Sequence, residues 1–424
     1  MNPIYVEVGK LNFQQHAIYD MRNDAKFIVK GCAGSGKTTL ALLRIKQLLA
    51  NESVDGQTPF YYVAFVRELV ECMRREIEQL PDLETKFNDY AITYENWSNG
   101  VITDWVRQEF GIHARAGMCE THSVHGYKRD FTNTIIKVNR RPEFLFVDEC
   151  QDFEIEDIES FMKGAQKGIV FYGDEDQHIM TWRGRRPVTI QTIRDRFNLP
   201  IHELIFNYRL PEEIAKFAEQ LGGRSDLHRH CKSLYHEKPF MIRVKDKKDA
   251  NGFMMKRISN LGLQDVGIAY TENEQVRDAY GALAQGLGRK YVSASWNIKP
   301  AASNEKPREG VHWSHLYPTP VKIMTYEKIK GQQFETVFLF VSGELSAEMV
   351  KRFYVGVTRA ERFLYVLYTD PMPSVLRQIP EALYSTTDEV GDFTGLYQGV
   401  KAESHDEMPN GASVPKKGSV DVGF

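Results

Sequence analysis

The sequence predicts an α/β protein with two tandem domains, each built on a parallel sheet that is covered by helices. The first observation is a long series of short apolar runs with helical patterns between them, which is typical of strands buried on both faces. The second is a glycine-rich loop that lies between an apolar run and a helical stretch. The runs are 27–29, 61–66, 144–147, 169–172 and 204–206, then 240–244, 266–270, 291–294, 321–325, 337–341 and 363–368.

The two series of runs meet near residue 200, which predicts a first domain over 1–200 and a second over 201–380. Residues 87–142 fit neither series and are predicted to form an insertion on the first domain. From residue 381 the apolar periodicity fades, and eight acidic residues stand against three lysines. We therefore predict an acidic, disordered tail over 381–424.

Composition narrows the class of protein. Hydrophobic residues make up 42% and charged residues 26% of the 424 residues, which excludes wholesale disorder. No apolar run approaches the roughly 20 residues that a membrane span needs, and the N-terminus lacks a signal-peptide pattern. We predict a cytoplasmic protein with no membrane partner. The net charge of −3 does not exclude a nucleic-acid partner, because a near-neutral body can still carry a basic groove.

The glycine loop reads Gly31-Cys-Ala-Gly-Ser-Gly-Lys-Thr38. Its glycines let the backbone wrap tightly, so that several N–H groups converge on phosphate oxygens at the positive end of a helix dipole. Lys37 would reach the outer phosphates, and the Thr38 hydroxyl would ligate Mg²⁺. The predicted phosphate-binding residues are Gly31, Ala33, Gly34, Ser35, Gly36, Lys37, Thr38 and Thr39.

Two further predicted strands end in polar side chains. The run 144–147 leads into Asp148 and Glu149, which places two carboxylates at the edge of the sheet where ligands bind in open α/β folds. Asp148 suits the Mg²⁺ shell through water, and Glu149 suits the base that orients the attacking water. The run 169–172 leads into Gln177, which is placed to sense a γ-phosphate.

Two arginines lie where a single phosphate loop cannot explain them. Arg209 follows the run 204–206, and Arg359 precedes the last predicted strand. A nucleotide held between two domains needs cations from the second domain to stabilise charge on the γ-phosphoryl group. At the other end of the site, Gln15 offers a donor and an acceptor for a base edge.

Taken in order, these motifs resemble those of the UvrD/Rep/PcrA-type helicases of superfamily one over roughly residues 8–370. The resemblance implies two tandem RecA-like P-loop domains with an ATP cleft between them. It also implies ATP hydrolysis with Mg²⁺ and 3′-to-5′ movement along a single strand, usually of DNA. The matching segments are Leu11-Asn-x-x-Gln15, the glycine loop, Asp148-Glu-x-Gln-Asp152, Gly173-Asp-x-x-Gln177, Asn207-Tyr-Arg209, 325–331 and Val357-Thr-Arg-Ala360.

The resemblance also assigns roles to single residues. It implies that Gln15 contacts adenine, that Tyr208 stacks on it, and that Arg209 and Arg359 bind the γ-phosphate. Catalysis would then rest on Glu149, Lys37, Gln177, Arg209 and Arg359. The residues implied to hold the strand are Phe65, Thr93, Trp182 and Arg183.

The chain departs from the family pattern at several positions. It has little room for the large accessory subdomains of the bigger members, so we predict a compact form. Glu327 stands for the usual His, Gln333 for the usual Glu, and Met180 for an aromatic residue, and Thr39 stands where an Arg is common. None of these removes a residue needed for hydrolysis, but together they weaken the case for processive unwinding by this chain alone.

Two alternatives stay open at this point. One is an ATP switch that gates a protein partner, for example a nuclease in a repair or phage-defence complex. The other is an RNA-directed enzyme, because phosphate and stacking contacts do not distinguish the sugars. A translocase should lose strand-stimulated hydrolysis when Trp182 becomes Ala, whereas a partner-gated switch should not.

Histidines and cysteines cluster in two places, residues 113–125 and 228–236. Structural zinc needs four well-placed ligands, and neither cluster shows that spacing cleanly, so polar loops are favoured over metal sites. Cys32 and Cys150 lie inside the phosphate-handling motifs, and we interpret both as small filler residues.

Overall fold

The computed structural model describes residues 7–51, 60–64, 91–93, 143–178, 188–222, 225–295 and 319–386. The chain divides into two units, residues 1–386 and 387–424, and every described residue lies in the first. Phe65, Trp182 and Arg183 lie outside the described residues, as do the cluster at 113–125 and most of the predicted insertion. For Thr93 only the backbone is described.

Strands and helices alternate along the described part of the chain. The strands are β1 (Lys26–Gly31), β2 (Phe60–Ala64), β3 (Ala91–Thr93), β4 (Phe144–Val147), β5 (Gly168–Gly173), β6 (Ile201–Leu204), β7 (Phe240–Arg243), β8 (Val266–Tyr270), β9 (Val292–Ala294), β10 (Val321–Thr325), β11 (Phe334–Val341) and β12 (Ala360–Tyr368). The helices are α1 (Phe13–Tyr19), α2 (Lys37–Asn51), α3 (Ile155–Gly164), α4 (Ile190–Phe197), α5 (Glu212–Glu219), α6 (Lys247–Leu261), α7 (Asn273–Leu287), α8 (Ala347–Val357) and α9 (Ser374–Arg377). Short 3₁₀ turns add to these.

The described strands form two six-stranded sheets. The first has the order β3-β2-β4-β5-β1-β6 and the second β7-β12-β11-β8-β10-β9. Every pairing between these strands is parallel. The prediction of an α/β fold with two parallel sheets is confirmed, and the arrangement is the one expected for tandem RecA-like domains.

Helices cover both faces of the first sheet. One buried cluster joins the sheet to α1 and α2, and a second joins the opposite face to α3 and α4. All six residues of β5 are buried, which explains why this strand is a continuous apolar run. None of the helices in the described ranges is long and apolar enough to cross a bilayer.

The first sheet extends past the domain boundary predicted at residue 200. Strand β6 pairs with β1, and Leu204 lies beside Gly31. We predicted a strand at 204–206, but β6 runs over Ile201–Leu204 and includes His202 and Glu203. An edge strand is paired on one side only and lies partly near solvent, so it need not be a continuous apolar run. The apolar run at 204–206 therefore predicted this strand at the wrong position.

Ordered chain also continues past residue 381, where we placed the start of the tail. Residues Glu381–Leu383 form a 3₁₀ turn, and Ser385 forms a parallel bridge with Phe240 at the edge of β7. The Ser385 carbonyl accepts from Met241 N at 2.8 Å, and its N–H donates to Pro239 O at 2.9 Å. Backbone pairing of this kind needs no apolar pattern, so composition could not reveal it.

Helix α1 is anchored by a buried arginine from α2. Arg44 is 1% exposed, and its Nη1 donates to the carbonyls of Ile18 (2.7 Å), Tyr19 (3.1 Å) and Met21 (2.9 Å). The last carbonyls of a helix have no partner within the helix, so a buried guanidinium can satisfy several at once. Arg44 thereby fixes the segment that carries Gln15.

Replacing Arg44 with methionine is expected to lower the free energy of unfolding by about 3 kcal/mol, because buried carbonyls lose their charged donor. Chemical denaturation followed by circular dichroism measures the loss. Arg22→Met is the matched control: Arg22 pairs with Asp24 at the surface, with 84% of its side chain exposed, and its replacement should leave the free energy of unfolding unchanged within error. Equal losses in the two variants would contradict the anchoring role.

Candidate functional site

The glycine loop follows β1 and packs against the segment that follows β6. Gly34 and Gly36 have φ values of +74° and +90°, in the left-handed region that favours glycine. A Cβ atom on Gly34 would lie 2.6 Å from Asn207 Oδ1, so the close approach also requires glycine. The Tyr208 N–H donates to the Gly34 carbonyl at 2.9 Å. The conformation of the glycine loop is therefore fixed both by its own glycines after β1 and by the segment that follows β6.

Lys37 begins α2 and folds back over the loop. Its Nζ donates to the carbonyls of Gly31 (2.8 Å) and Cys32 (3.0 Å), and the residue is 7% exposed. Beside it, the buried Ser35 hydroxyl has no hydrogen-bond partner among the described residues. A buried ammonium group and an unsatisfied hydroxyl at the start of a helix fit an anionic phosphate group.

Thr38 and Asp148, the two predicted Mg²⁺ ligands, come together. Thr38 Oγ1 donates to Asp148 Oδ2 at 2.9 Å, and the Tyr62 hydroxyl donates to the same oxygen at 2.8 Å. Burial, followed by the nearby Glu149 carboxylate, raises the pKa of Asp148. Adjacent hydroxyl and carboxylate oxygens are ligands that Mg²⁺ prefers, so these residues fit the metal. Tyr62 was missed, since its position on β2 beside β4 is visible only in the sheet.

Glu149 follows Asp148 with backbone angles of φ 53° and ψ 44°. A left-handed conformation is uncommon for a residue with a side chain, and such strain occurs mostly at functional sites. The residue is 6% exposed, and its Oε2 accepts from Gln151 Nε2 at 2.5 Å. Burial raises the pKa of Glu149, but Lys330 and Lys37 outweigh it and hold the pKa below its usual value. The carboxylate is therefore charged and able to act as a base.

Lys330, from the loop after β10 of the second sheet, enters among carboxylates of the first sheet. It is fully buried, and its Nζ donates to Asp152 Oδ2 at 2.5 Å and to the Gln177 carbonyl at 2.8 Å. Glu149 Oε2 lies 3.8 Å from the same nitrogen. Lys330 lies in the matching segment 325–331, but no role was predicted for it, because its partners on the first sheet are distant in the chain.

Gln177 and Arg359 also meet across the two sheets. Gln177 is 2% exposed, its Nε2 donates to Asp174 Oδ2, and its Oε1 accepts from Arg359 Nη2. The guanidinium of Arg359 is further held by a hydrogen bond from its Nε to Val355 O at 3.0 Å. Burial, and then the neighbouring Arg209, lower the pKa of Arg359 to about 9, so it remains a cation at neutral pH.

Arg209 joins this group from the segment after β6. Its Nη2 donates to Gln333 Oε1 at 3.0 Å, while its Nε is buried without a partner among the described residues. Burial lowers the pKa of Arg209. Arg209 is close enough to lower the pKa of Arg359, and two neighbouring guanidinium groups favour an anion between them. The predicted pair therefore converges on one place.

The two residues predicted to contact adenine, Gln15 and Tyr208, differ in burial and in the hydrogen bonds that they make. Gln15 is 6% exposed, its Nε2 donates to Ser35 O at 3.1 Å, and its Oε1 accepts from Asn12 N at 3.1 Å. Both polar ends of this amide therefore hold the loop and α1 in this structure. The Tyr208 ring is 45% exposed, and its hydroxyl accepts from Asn12 Nδ2 at 2.5 Å. The exposed aromatic side chain is accessible to a planar ligand.

The histidine–cysteine cluster at 228–236 is held by other contacts. His228 Nδ1 lies 2.8 Å from the Glu219 carboxylate, and Cys231 donates its thiol proton to Leu227 O at 3.5 Å. Across the described ranges, no three His, Cys, Asp or Glu side chains form a group that could hold a metal ion. Cys32 and Cys150 are buried, and burial raises the pKa of Cys150 well above its usual value.

Comparison with known proteins adds family information to this geometry. A family model described as an AAA domain matches residues 14–183, and one described as a UvrD-like helicase C-terminal domain matches residues 320–367. Two proteins from Buchnera aphidicola named ATP-dependent DNA helicase Rep are each 30% identical to the chain. The first, from subsp. Acyrthosiphon pisum (strain APS), aligns over 34% of this chain and 24% of its own length. The second, from subsp. Schizaphis graminum (strain Sg), aligns over 25% and 16%.

The chain thus spans about a quarter or less of the length of these curated relatives. A solved structure described as the C-terminal domain of a possible DNA helicase from Lactobacillus plantarum WCFS1 is 14% identical, with a TM-score of 0.31. The aligned region covers 42% of this chain and 98% of that structure's chain.

The two family matches fall on the two halves of the site. The AAA-domain match contains the glycine loop, Glu149 and Gln177, and the UvrD-like match contains Lys330 and Arg359. Those residues meet in one buried cluster. In its family matches and in these relatives, the chain is similar to UvrD/Rep-like helicases.

Proposed function

We propose that this chain is an ATP hydrolase that moves 3′-to-5′ along single-stranded nucleic acid in the cytoplasm, with DNA favoured over RNA. The observation that carries the proposal is the entry of Lys330 and Arg359 from the second sheet into the carboxylate cluster of the first. A catalytic site shared by two sheets can couple hydrolysis to their relative movement.

The glycine loop would hold the phosphates. Lys37 would exchange its contacts with the Gly31 and Cys32 carbonyls for phosphate oxygens, and the unsatisfied Ser35 hydroxyl would gain a partner. Mg²⁺, held by Thr38 and through water by Asp148, would neutralise charge on the outer phosphates. The exposed face of Tyr208 would stack on the base.

Hydrolysis would then depend on three charged groups. Glu149, kept ionised by Lys330 and Lys37, would orient the attacking water and accept its proton. Arg209 and Arg359 would stabilise charge that develops on the γ-phosphoryl group. Because Arg359 belongs to the second sheet, hydrolysis and release would loosen the contact between the sheets.

The decisive experiment is ATP hydrolysis by the purified chain without polymer and with single-stranded DNA, single-stranded RNA or duplex DNA. We expect single-stranded DNA to stimulate hydrolysis most, and Trp182→Ala to remove the stimulation while the basal rate persists. Displacement of streptavidin from the 5′ end of a strand, but not from the 3′ end, would establish the polarity. Hydrolysis that no polymer changes would contradict the motor and favour a switch that gates a protein partner.

A further inference from the structure

Two residues of the proposed nucleotide site stand side by side in the segment that follows β6. Tyr208 lies at the surface and is 45% exposed. Arg209 turns inward, where its Nε is buried and its Nη2 donates to Gln333 Oε1 at 3.0 Å. Whatever fixes the backbone at 207–210 therefore places both of these side chains.

The side chain of Asn207 fixes this backbone. Asn207 is fully buried, and its Oδ1 accepts from Arg209 N at 2.9 Å and from Leu210 N at 3.0 Å. An asparagine oxygen that bonds to N–H groups further along the chain closes a local turn in the way that a backbone carbonyl would. Its Nδ2, by contrast, is buried without a partner among the described residues. The acceptor oxygen is therefore the atom through which Asn207 holds the turn.

The backbone of Asn207 is held by the histidine–cysteine cluster at 228–236. Asn207 N donates to the His230 carbonyl at 2.9 Å, and the Asn207 carbonyl accepts from Lys232 N at 2.7 Å. Asn207 and Cys231 thereby form a parallel bridge. Because this bridge fixes the backbone of Asn207 on one side, its side chain is left to set the course of the residues that follow.

The turn also lies against the glycine loop. Tyr208 N donates to the Gly34 carbonyl at 2.9 Å. A Cβ atom on Gly34 would lie 2.6 Å from Asn207 Oδ1 and 2.5 Å from the Cβ of Arg209, so the turn and the loop touch directly. A shift of the turn would therefore change the distances from Tyr208 and Arg209 to a nucleotide on the loop. An amide oxygen, unlike a carboxylate, holds the turn without a negative charge beside bound phosphate.

From these contacts we infer that Asn207 is a positioning residue that places Tyr208 at the base and Arg209 at the γ-phosphoryl group through one turn. The inference rests on the proposed function, in which these two residues contact the two ends of the same nucleotide. Asn207 itself does not touch the nucleotide. Without its Oδ1, the backbone of both neighbours is released at once, so base binding and hydrolysis should weaken together.

The test is Asn207→Ala, which removes the acceptor oxygen. We expect the Kd for a non-hydrolysable ATP analogue to rise about tenfold, the scale of one aromatic contact. We expect kcat for ATP hydrolysis to fall by about 100-fold, the scale of a small misplacement of a catalytic group. The Kd for inorganic tripolyphosphate, which has no base, should rise by less than about threefold. Isothermal titration calorimetry and steady-state hydrolysis measure these three quantities.

Two further variants sharpen the result. Asn260→Ala is the matched control, because Asn260 is an exposed asparagine on α6, and it should leave all three quantities unchanged. Asn207→Ser keeps a weaker acceptor near the same N–H groups, so it should change the three quantities in the same direction by smaller factors. If Asn207→Ala does not fold, as judged by thermal unfolding, the same three measurements on Asn207→Ser decide.

Double-mutant cycles show whether Asn207 acts through its neighbours. Asn207→Ala combined with Arg209→Ala should lose little more kcat than the worse single variant, and Asn207→Ala combined with Tyr208→Ala little more affinity for the ATP analogue. Losses that multiply would overturn the inference. Equal loss of affinity for the analogue and for tripolyphosphate would also overturn it, because Asn207 would then support only the glycine loop.

The proposed function and the positioning role fail in different ways. A wild-type chain that hydrolyses no ATP would overturn the proposed function and the role of Asn207 with it. A wild-type chain that hydrolyses ATP, beside an Asn207→Ala chain with unchanged constants, would overturn the role of Asn207 alone.

Discussion

Replacing Glu149 with glutamine is expected to lower kcat for ATP hydrolysis by about 1,000-fold, while ATP still binds with nearly wild-type affinity. The reason is that glutamine keeps the size of the side chain but cannot accept the proton of the attacking water. The Glu149 carboxylate is buried and held ionised by two lysines, so its loss would remove the proposed base and not a surface charge. Single-turnover hydrolysis and fluorescent-nucleotide titration measure the two quantities separately.

Lys37→Ala provides the contrast. Lys37 would contact phosphate in the bound state, so its removal should weaken ATP binding as well as hydrolysis. If Glu149→Gln weakened ATP binding as much as Lys37→Ala does, the result would mean that Glu149 is needed for the structure of the site and not as a base. A Glu149→Gln chain that hydrolyses ATP at the wild-type rate would remove Glu149 as the base.

The second large effect is on stability. Lys330→Met is expected to lower the free energy of unfolding by about 3–5 kcal/mol, because it removes the cation hydrogen-bonded to the buried Asp152 carboxylate and one of the two lysines near Glu149. Chemical denaturation at neutral pH measures the loss. Since Lys330 belongs to the second sheet and its partners to the first, the contact between the sheets should loosen before either sheet unfolds.

A double variant isolates the charge effect. Lys330→Met combined with Asp152→Asn removes the cation and its nearest carboxylate together, so it should recover part of the lost stability. Lys247→Met is the surface control: its ion pair with Asp278 is partly exposed, and its loss should cost less than about 1 kcal/mol. A Lys330→Met protein as stable as wild type would show that the buried ion pair is not needed.

The sequence was most informative where chemistry and chain position coincide. The glycine loop and the Asp148–Glu149 pair each follow an apolar run directly, and the C-terminal ends of neighbouring parallel strands meet at one edge. The structure places these residues side by side, with Thr38 hydrogen-bonded to Asp148. Local pattern and global fold agree at these positions.

The contacts that the sequence did not predict are those between residues that are distant in the chain. Lys330 contacts Asp152 across 178 positions, and Tyr62 contacts Asp148 across 86. Lys330 lies in the matching segment 325–331 and Tyr62 in an apolar run, but neither pattern shows which distant carboxylate the side chain contacts. Gln151 stands inside a recognised motif, yet its hydrogen bond to Glu149 is visible only in the packed structure.

The strand order β4-β5-β1-β6 in the first sheet also determines the distance along the sheet edge between the loop after β4 and the loop after β6. Adjacent strands are about 4.8 Å apart, so the loops after these four strands span roughly 14 Å along the sheet edge. Tyr208 lies at the β6 end and Glu149 at the β4 end, with the glycine loop between them. Under the proposed function, a nucleotide whose base stacks on Tyr208 must be long enough to bring its last phosphate to Glu149. A nucleotide with fewer phosphates would then bind with its base at Tyr208, but its phosphates would end short of the Glu149 carboxylate.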